Sequence, residues 1–191
     1  MHQLFFTRKI VHRVNFSSVT SPLELTLAIL KPDLVQHHPN LTFVQKMIVE
    51  NNFLIVRSKI LSLSRTKAEE FYKEHEGKFF YNRLVTFMSS GPCQPLVLAK
   101  AGAIADWRKL MGPTKVFKTR YSHPDSIRGR FGLTDTRNCS HGSDSPQTAK
   151  EEMDFFFPEF DVKLWELEEK IHFDNGNLSL DWDNFTHKPL H

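Results

Sequence analysis

Residues 135–145 read DTRNCSHGSDS, and the reading of this stretch governs that of the rest of the chain. His141 stands between a short strand-compatible run and a Gly-Ser-Asp-Ser segment with the chemistry of a helix start. Gly142 permits a close backbone approach, Ser143 and Ser145 are suited to cap orphan helix N–H groups, and Pro146 suits a first helical position. The imidazole is therefore expected at a strand-to-helix corner, where a nucleophile can meet a phosphate. That makes His141 the first candidate for chemistry.

Downstream, residues 146–157 follow a helical pattern that places Glu152 about three turns beyond the corner. If this helix packs under the corner, a carboxylate holds one imidazole nitrogen and leaves the other free as a nucleophile. Asn138, three residues before His141, can set its amide beside the same ligand on an irregular strand. His37, His38, His75 and the C-terminal pair His187 and His191 have no such surroundings and read as surface or structural residues.

Upstream, LELTLAIL at residues 23–30 alternates and then becomes continuously apolar, which predicts a central strand. It ends at Lys31-Pro32-Asp33, so Lys31 either points into a cleft or is a solvated lysine after a strand. Residues 39–51 read as a helix and 53–63 as a second strand. Thr66-Lys67-Ala68-Glu69 has capping-box spacing, predicting a helix through Phe71 and Tyr72. After a break near Gly77, a further helix runs through Leu84, Val85, Phe87 and Met88, the two forming a mobile rim. Gly91-Pro92 stops it, residues 94–99 read as a third strand, and a helix over 103–111 carries Trp107, Arg108 and Leu110.

Residues 112–131 lack clear periodicity but hold Thr114, Lys115, Lys118, Arg120 and Arg128 among Gly112, Pro113, Pro124 and Gly129. A loop of this length in a compact domain is usually functional, and its basic content points to an anion site. The tail from Pro158 mixes acids with Trp165, Trp182 and several phenylalanines; it is expected to pack partly on the domain and fray at its end. The order of elements predicts an α+β sandwich with an antiparallel sheet.

The chain has 191 residues, 40% of them hydrophobic, enough for one domain with extensions. No apolar run reaches the roughly 18 residues of a membrane helix, so no transmembrane segment is expected. Two cysteines, Cys93 and Cys139, make no disulfide framework and have no metal-ligand spacing, which favours a reducing compartment. Net charge is +3, but residues 1–23 hold Arg8, Lys9 and Arg13 and no acid; the remainder is balanced, 22 basic against 22 acidic. A general nucleic-acid face is thus not supported. In the N-terminal stretch, Leu4, Phe6, Ile10, Val11 and Val14 share one helical half and Arg8, Lys9, His12 and Arg13 the other. Residues 1–22 therefore read as a mitochondrial presequence leading to the matrix, or else as a basic N-terminus without regular structure.

The segments LAILKPD, FYKEHEGKFFYNRLVTFMSSGP, WRKLMGPT, DSIRGRFG and RNCSHGSDS occur in this order and at compatible spacing. Over residues 25–156 the chain resembles the nucleoside diphosphate kinase family, especially its divergent mitochondrial-type branch; NxxHGSDS is highly specific, KPD or IRG alone weak. The resemblance implies a ferredoxin-like βαββαβ sandwich with a four-stranded antiparallel sheet over residues 23–158, followed by a C-terminal extension, 159–191. It implies ping-pong transfer of the γ-phosphate of a nucleoside triphosphate to a nucleoside diphosphate through phospho-His141. Glu152 would orient His141, assisted by Ser143. Arg108, Thr114 and Arg128 would bind the β and γ phosphates, and Lys31 the transferred phosphate and the sugar. Asn138 would bind the ribose 3′-hydroxyl, Tyr72 would support the site near Lys31, and Phe80 would stack on the base, with Phe79 able to exchange roles with it. Mg2+ would arrive with the nucleotide, held by its phosphates and water rather than by protein ligands.

The chain departs from the family pattern in four places. The loop from Thr114 to Arg128 is a few residues longer than the common form, where it helps build the oligomer interface and the nucleotide cleft. Asp135 stands where an apolar residue usually opposes the base-stacking phenylalanine, Arg130 replaces the usual acid after Arg-Gly, and the tail is longer. These leave the oligomeric state open and offer a protein partner the long loop or the extension. They also define an alternative, a weakly active or inactive module that binds nucleotide or a partner and retains the kinase fold.

Overall fold

The computed structural model describes residues 21–190, so the basic amphipathic stretch, 1–20, lies outside the described residues. In chain order the elements are β1 (Glu24–Leu30), α1 (Pro32–Val35), α2 (His38–Glu50), β2 (Leu54–Ser58), β3 (Leu61–Ser62) and α3 (Arg65–Phe71). There follow α4 (Tyr81–Met88), β4 (Pro92–Lys100), α5 (Ala103–Met111), α6 (Val116–Ser122), α7 (Ile127–Phe131), β5 (Ser140–Gly142) and α8 (Pro146–Phe156). The chain ends in α9 (Val162–Glu168), α10 (Lys170–Asp174), β6 (Leu178–Asp181) and β7 (Thr186–Pro189).

The main sheet has the order β2-β4-β1-β5, antiparallel throughout, with β3 continuing β2 along the start of β4. With α2 and α5 as the crossover helices and the α3–α4 hairpin inserted before β4, this is the ferredoxin-like βαββαβ sandwich.

Both faces of the sheet are covered. Ala28 and Leu30 of β1 pack with Val44 and Ile48 of α2 and with Ala103 and Trp107 of α5. Leu27 and Ile29 point to the opposite face, against Val85 and Met88 of α4 and Met153 and Phe156 of α8. A strand buried on both faces needs no polar alternation, which is why LAIL, residues 27–30, reads as an unbroken apolar run.

Three local expectations are corrected. The cap of α3 is Ser64, whose Oγ accepts the Lys67 N–H at 3.1 Å; Thr66 lies inside the helix, and Glu69 pairs with Arg65 at 2.9 Å on the surface. The strand predicted over 53–63 is divided, because the register slips between Ile55 and Arg57 and pairing lapses between β2 and β3. The supposed loop 112–131 contains α6 and α7, of seven and five residues, each too short to leave a helical period in the sequence.

The segment beyond Pro158 is packed into the body. Trp165, Phe173 and Leu178 join the core on one face of the sheet, and Leu180 and Phe185 on the other. β7 lies beside the edge strand β2, where His187 Nδ1 accepts the Ile55 N–H at 2.9 Å. Arg57 of β2 binds both carboxylate oxygens of Glu169, at 3.0 and 2.5 Å, and its guanidinium stands over Phe160. An edge strand otherwise open to pairing with another chain is thus covered by the chain's own C-terminus.

Candidate active site

His141 sits in the middle of β5, in register with Ile29 of β1. The Trp107 indole N–H donates to the His141 carbonyl at 3.0 Å, and a side chain at residue 142 would collide with that ring. The close approach that Gly142 permits is therefore, first of all, that of Trp107. Ser145 alone caps α8, accepting the Thr148 N–H at 3.1 Å, with Pro146 in the first turn. Ser143 is buried and serves otherwise.

The helix so started carries Glu152 back under the corner. Its Oε1 lies 2.7 Å from His141 Nε2, and its Oε2 accepts the Ser143 hydroxyl at 2.5 Å. A carboxylate has no proton to give at neutral pH, so Nε2 carries the hydrogen and Nδ1 keeps its lone pair. Phe71 and Tyr72 meet the imidazole edge-on, at ring separations of 5.3 and 6.4 Å. Ser143 bridging to the same carboxylate and the aromatic collar restrict rotation of the ring.

Lys31, only 5% exposed, leaves the end of β1 and donates from Nζ to Asn138 Oδ1 at 2.7 Å. Burial, and then the nearby charge of Arg128, pull its ammonium down to about 7, against the opposing influence of Asp33. Asp33, held partly out of water, is in turn pushed up by burial. Its Oδ2 accepts the Cys139 N–H at 3.2 Å, while the Cys139 carbonyl accepts the Lys31 N–H at 2.8 Å. Cys139 takes the left-handed conformation, φ +69°, that non-glycine residues enter only when their surroundings enforce it.

Arg128, on α7, donates to the Gly112 carbonyl at 2.7 Å and the Ser140 carbonyl at 3.0 Å, and reaches Thr114 Oγ1 at 3.4 Å. One guanidinium thus joins the end of α5, the basic segment and the histidine strand. Burial and the charge of Arg108 lower it to about 10, so it stays cationic at neutral pH. Arg108 is exposed and, among the described residues, makes no side-chain hydrogen bond. Phe80 is half-buried against the core, whereas Phe79 is 85% exposed; their rings meet edge to face at 5.4 Å.

A single cleft of about 1680 Å³ is lined by Lys31, Tyr72, Phe80, Arg108, Thr114, Arg128, Asn138, His141, Ser143 and Glu152. All ten residues singled out in the sequence meet there. Sequence reasoning gave no role to Trp107 beneath the corner, to the Asp33–Cys139 contact behind Lys31, or to Phe71 against the imidazole. The KPD motif held a signal for Asp33; the backbone twist at Cys139 left none.

Fold and cleft together define a ferredoxin-like domain with a carboxylate-held histidine facing a cation-lined pocket. The family model described as "Nucleoside diphosphate kinase" matches residues 24–162, and the chain belongs to that family. It is 48% identical to "Nucleoside diphosphate kinase 6" of Danio rerio over 88% of this chain and 96% of the relative. To the protein of the same name from Homo sapiens it is 53% identical, over 78% of this chain and 80% of the relative. Among solved structures, the Aquifex aeolicus nucleoside diphosphate kinase is 38% identical, with a TM-score of 0.68 over 71% of this chain and 95% of that one.

Proposed function

We propose that the protein transfers the γ-phosphate of a nucleoside triphosphate to a nucleoside diphosphate in two displacements through phospho-His141. The observation that carries this reading is the 2.7 Å contact of Nε2 with Glu152, which leaves Nδ1 as the nucleophile in a cleft holding Lys31, Arg108 and Arg128. In the first step the Nδ1 lone pair bonds to the γ-phosphorus and the bond to the β–γ bridging oxygen breaks, releasing a diphosphate. The proton stays on Nε2, hydrogen-bonded to Glu152, and that carboxylate stabilises the positive character that the ring acquires. In the second step a terminal phosphate oxygen of the acceptor attacks the same phosphorus and the imidazole leaves.

Positioning and cations on the oxygens account for most catalysis of phosphoryl transfer. Arg108 is free to grip oxygens in a fork. Arg128 and Thr114 supply fixed donors, and Lys31, whose charged form an arriving anion favours with a proton taken from solvent, supplies a point charge. Asn138 would bind the ribose 3′-hydroxyl, Tyr72 would back the Lys31 side of the site, and Phe80 would stack on the base without regard to its identity.

Among the described residues no three His, Cys, Asp or Glu side chains converge as a metal cage. A magnesium ion arriving with the nucleotide would be held by its phosphates and water, where it would neutralise β- and γ-oxygen charge. Incubation with γ-labelled ATP and Mg2+ should leave acid-labile, alkali-stable label on the chain and none on His141→Ala.

A second reading, nucleotide binding without turnover, draws on Asp135, which lines the cleft. Tight nucleotide binding by a wild-type chain that takes no label would select it. Residues 1–22 are assigned as a leader to the mitochondrial matrix; a reporter carrying residues 1–23 should be imported, and one that stayed cytosolic would refute the assignment.

A further inference from the structure

The long basic segment is tied to the histidine strand through one carboxylate. Asp135 Oδ1 accepts the N–H of Val116, the first residue of α6, at 3.0 Å, and Oδ2 stands 3.1 Å from Lys115 Nζ. The first N–H groups of a helix have no partner within it, and the residue preceding α6, Lys115, offers no side-chain cap. Asp135 caps the helix from outside, with a negative charge at the end of the helix that favours one.

The main chain of Asp135 is engaged as well. Its carbonyl accepts from Asn138 Nδ2 at 3.0 Å, and Asn138 Oδ1 accepts from Lys31 Nζ at 2.7 Å. One residue thus holds Asn138 with its backbone and α6 with its side chain. At the other end of the segment, Arg120 donates to the Gly132 carbonyl at 2.7 Å, and Thr119 to the Pro113 carbonyl at 3.0 Å, next to Thr114. Thr119 and Arg128 brace the stretch around Thr114 from within the segment, and the Asp135 bond ties the start of α6 to the residues leading into β5.

We propose that Asp135 is a positioning residue: it latches the start of α6 so that Thr114 and Arg128 present their donors together, and it rests on the kinase reading for what those donors bind. The exposed ion pair contributes little, since Lys115 and Asp135 are 72% and 48% exposed as side chains. The bond to the Val116 amide is what fixes the segment. An apolar residue at position 135 would leave that amide without its acceptor.

The test uses the full chain with Asp135→Ala, Asp135→Asn and Lys115→Ala, read by hydrogen exchange at Val116, by calorimetric binding of Mg-ADP, and by separate kcat and KM. Asp135→Ala should exchange Val116 faster and weaken ADP binding and KM by about three- to tenfold, the range of a lost helix cap, with kcat within about twofold. Asp135→Asn, which keeps an acceptor oxygen, should restore most of the affinity, and Lys115→Ala should leave exchange at Val116 as in the wild type. Should Asp135→Ala fail to fold, Asp135→Glu, which moves the acceptor by one methylene, carries the same expectation.

Unchanged exchange and affinity in Asp135→Ala overturn the proposal. So does a loss of kcat at unchanged affinity, which would put Asp135 in the chemistry. The exchange and binding readouts do not need turnover. A wild type without label therefore defeats the kinase reading and leaves the latch to be judged by them.

Discussion

Glu152 grips His141 Nε2 at 2.7 Å with one carboxylate oxygen and the Ser143 hydroxyl at 2.5 Å with the other. This arrangement sets both the tautomer and the direction of the imidazole. Replacing the carboxylate by an amide removes the charge that balances the ring as phosphorus is attacked. Glu152→Gln should therefore lower kcat roughly 10²-fold, within the range for a lost acid–base partner, at nearly unchanged KM. Ser143→Ala, which leaves the Glu152–His141 contact in place, should cost about tenfold, as expected for one hydrogen bond to a charged group. Equal losses in the two variants would contradict the division of roles.

Lys31 makes nucleotide binding depend on pH. Its ammonium is lowered to about 7, whereas the ordinary value is 10.5. A bound phosphate favours the charged form, so binding above pH 7 draws a proton onto Lys31 and affinity falls as pH rises through this window. Folding has the opposite sign: between about 7 and 10.5 the unfolded chain holds the extra proton, and this residue's contribution to stability increases with pH. Calorimetry in buffers of different ionisation enthalpy should show proton uptake with ADP at pH 8, and none in Lys31→Arg.

Gly142 is fixed by the Trp107 indole, which donates to the neighbouring carbonyl. Gly142→Ala should destabilise the chain by roughly 1–3 kcal/mol, the cost of overpacking a filled core, and displace β5. Thermal unfolding and phosphate labelling should both register it. A variant with wild-type melting would mean that the ring moves aside freely.

His187 supports the covered edge of the sheet through the Ile55 amide. His187→Ala leaves a buried N–H without an acceptor and should cost about 1–3 kcal/mol. Ending the chain at residue 162 should strip β2 of its cover and produce concentration-dependent self-association in sedimentation. A truncated chain that stays monomeric and fully stable would show that the tail is dispensable to the edge.

The fold was legible where burial imposes a pattern. The apolar run LAIL that ends β1 and the Gly-bounded helix α5 reported their environments directly. The site was legible because its chemistry is concentrated in short motifs around Lys31, Arg128 and His141. The misread parts are those whose causes lie outside the local sequence. α6 takes its cap from Asp135, nineteen positions on. Ser64 rather than Thr66 begins α3 because the chain is extended at Ser64. His187 read as an idle C-terminal histidine, since its partner is a backbone amide 132 positions away.

The central claim, a phosphate carried by His141, is tested most directly by isolating the labelled chain free of ATP and adding an unlabelled nucleoside diphosphate of a different base. The account predicts that the label leaves the protein and appears as the γ-phosphate of the new triphosphate, with no labelled protein formed by His141→Ala. Label that remains on the chain after the chase, or that survives in His141→Ala, would contradict it.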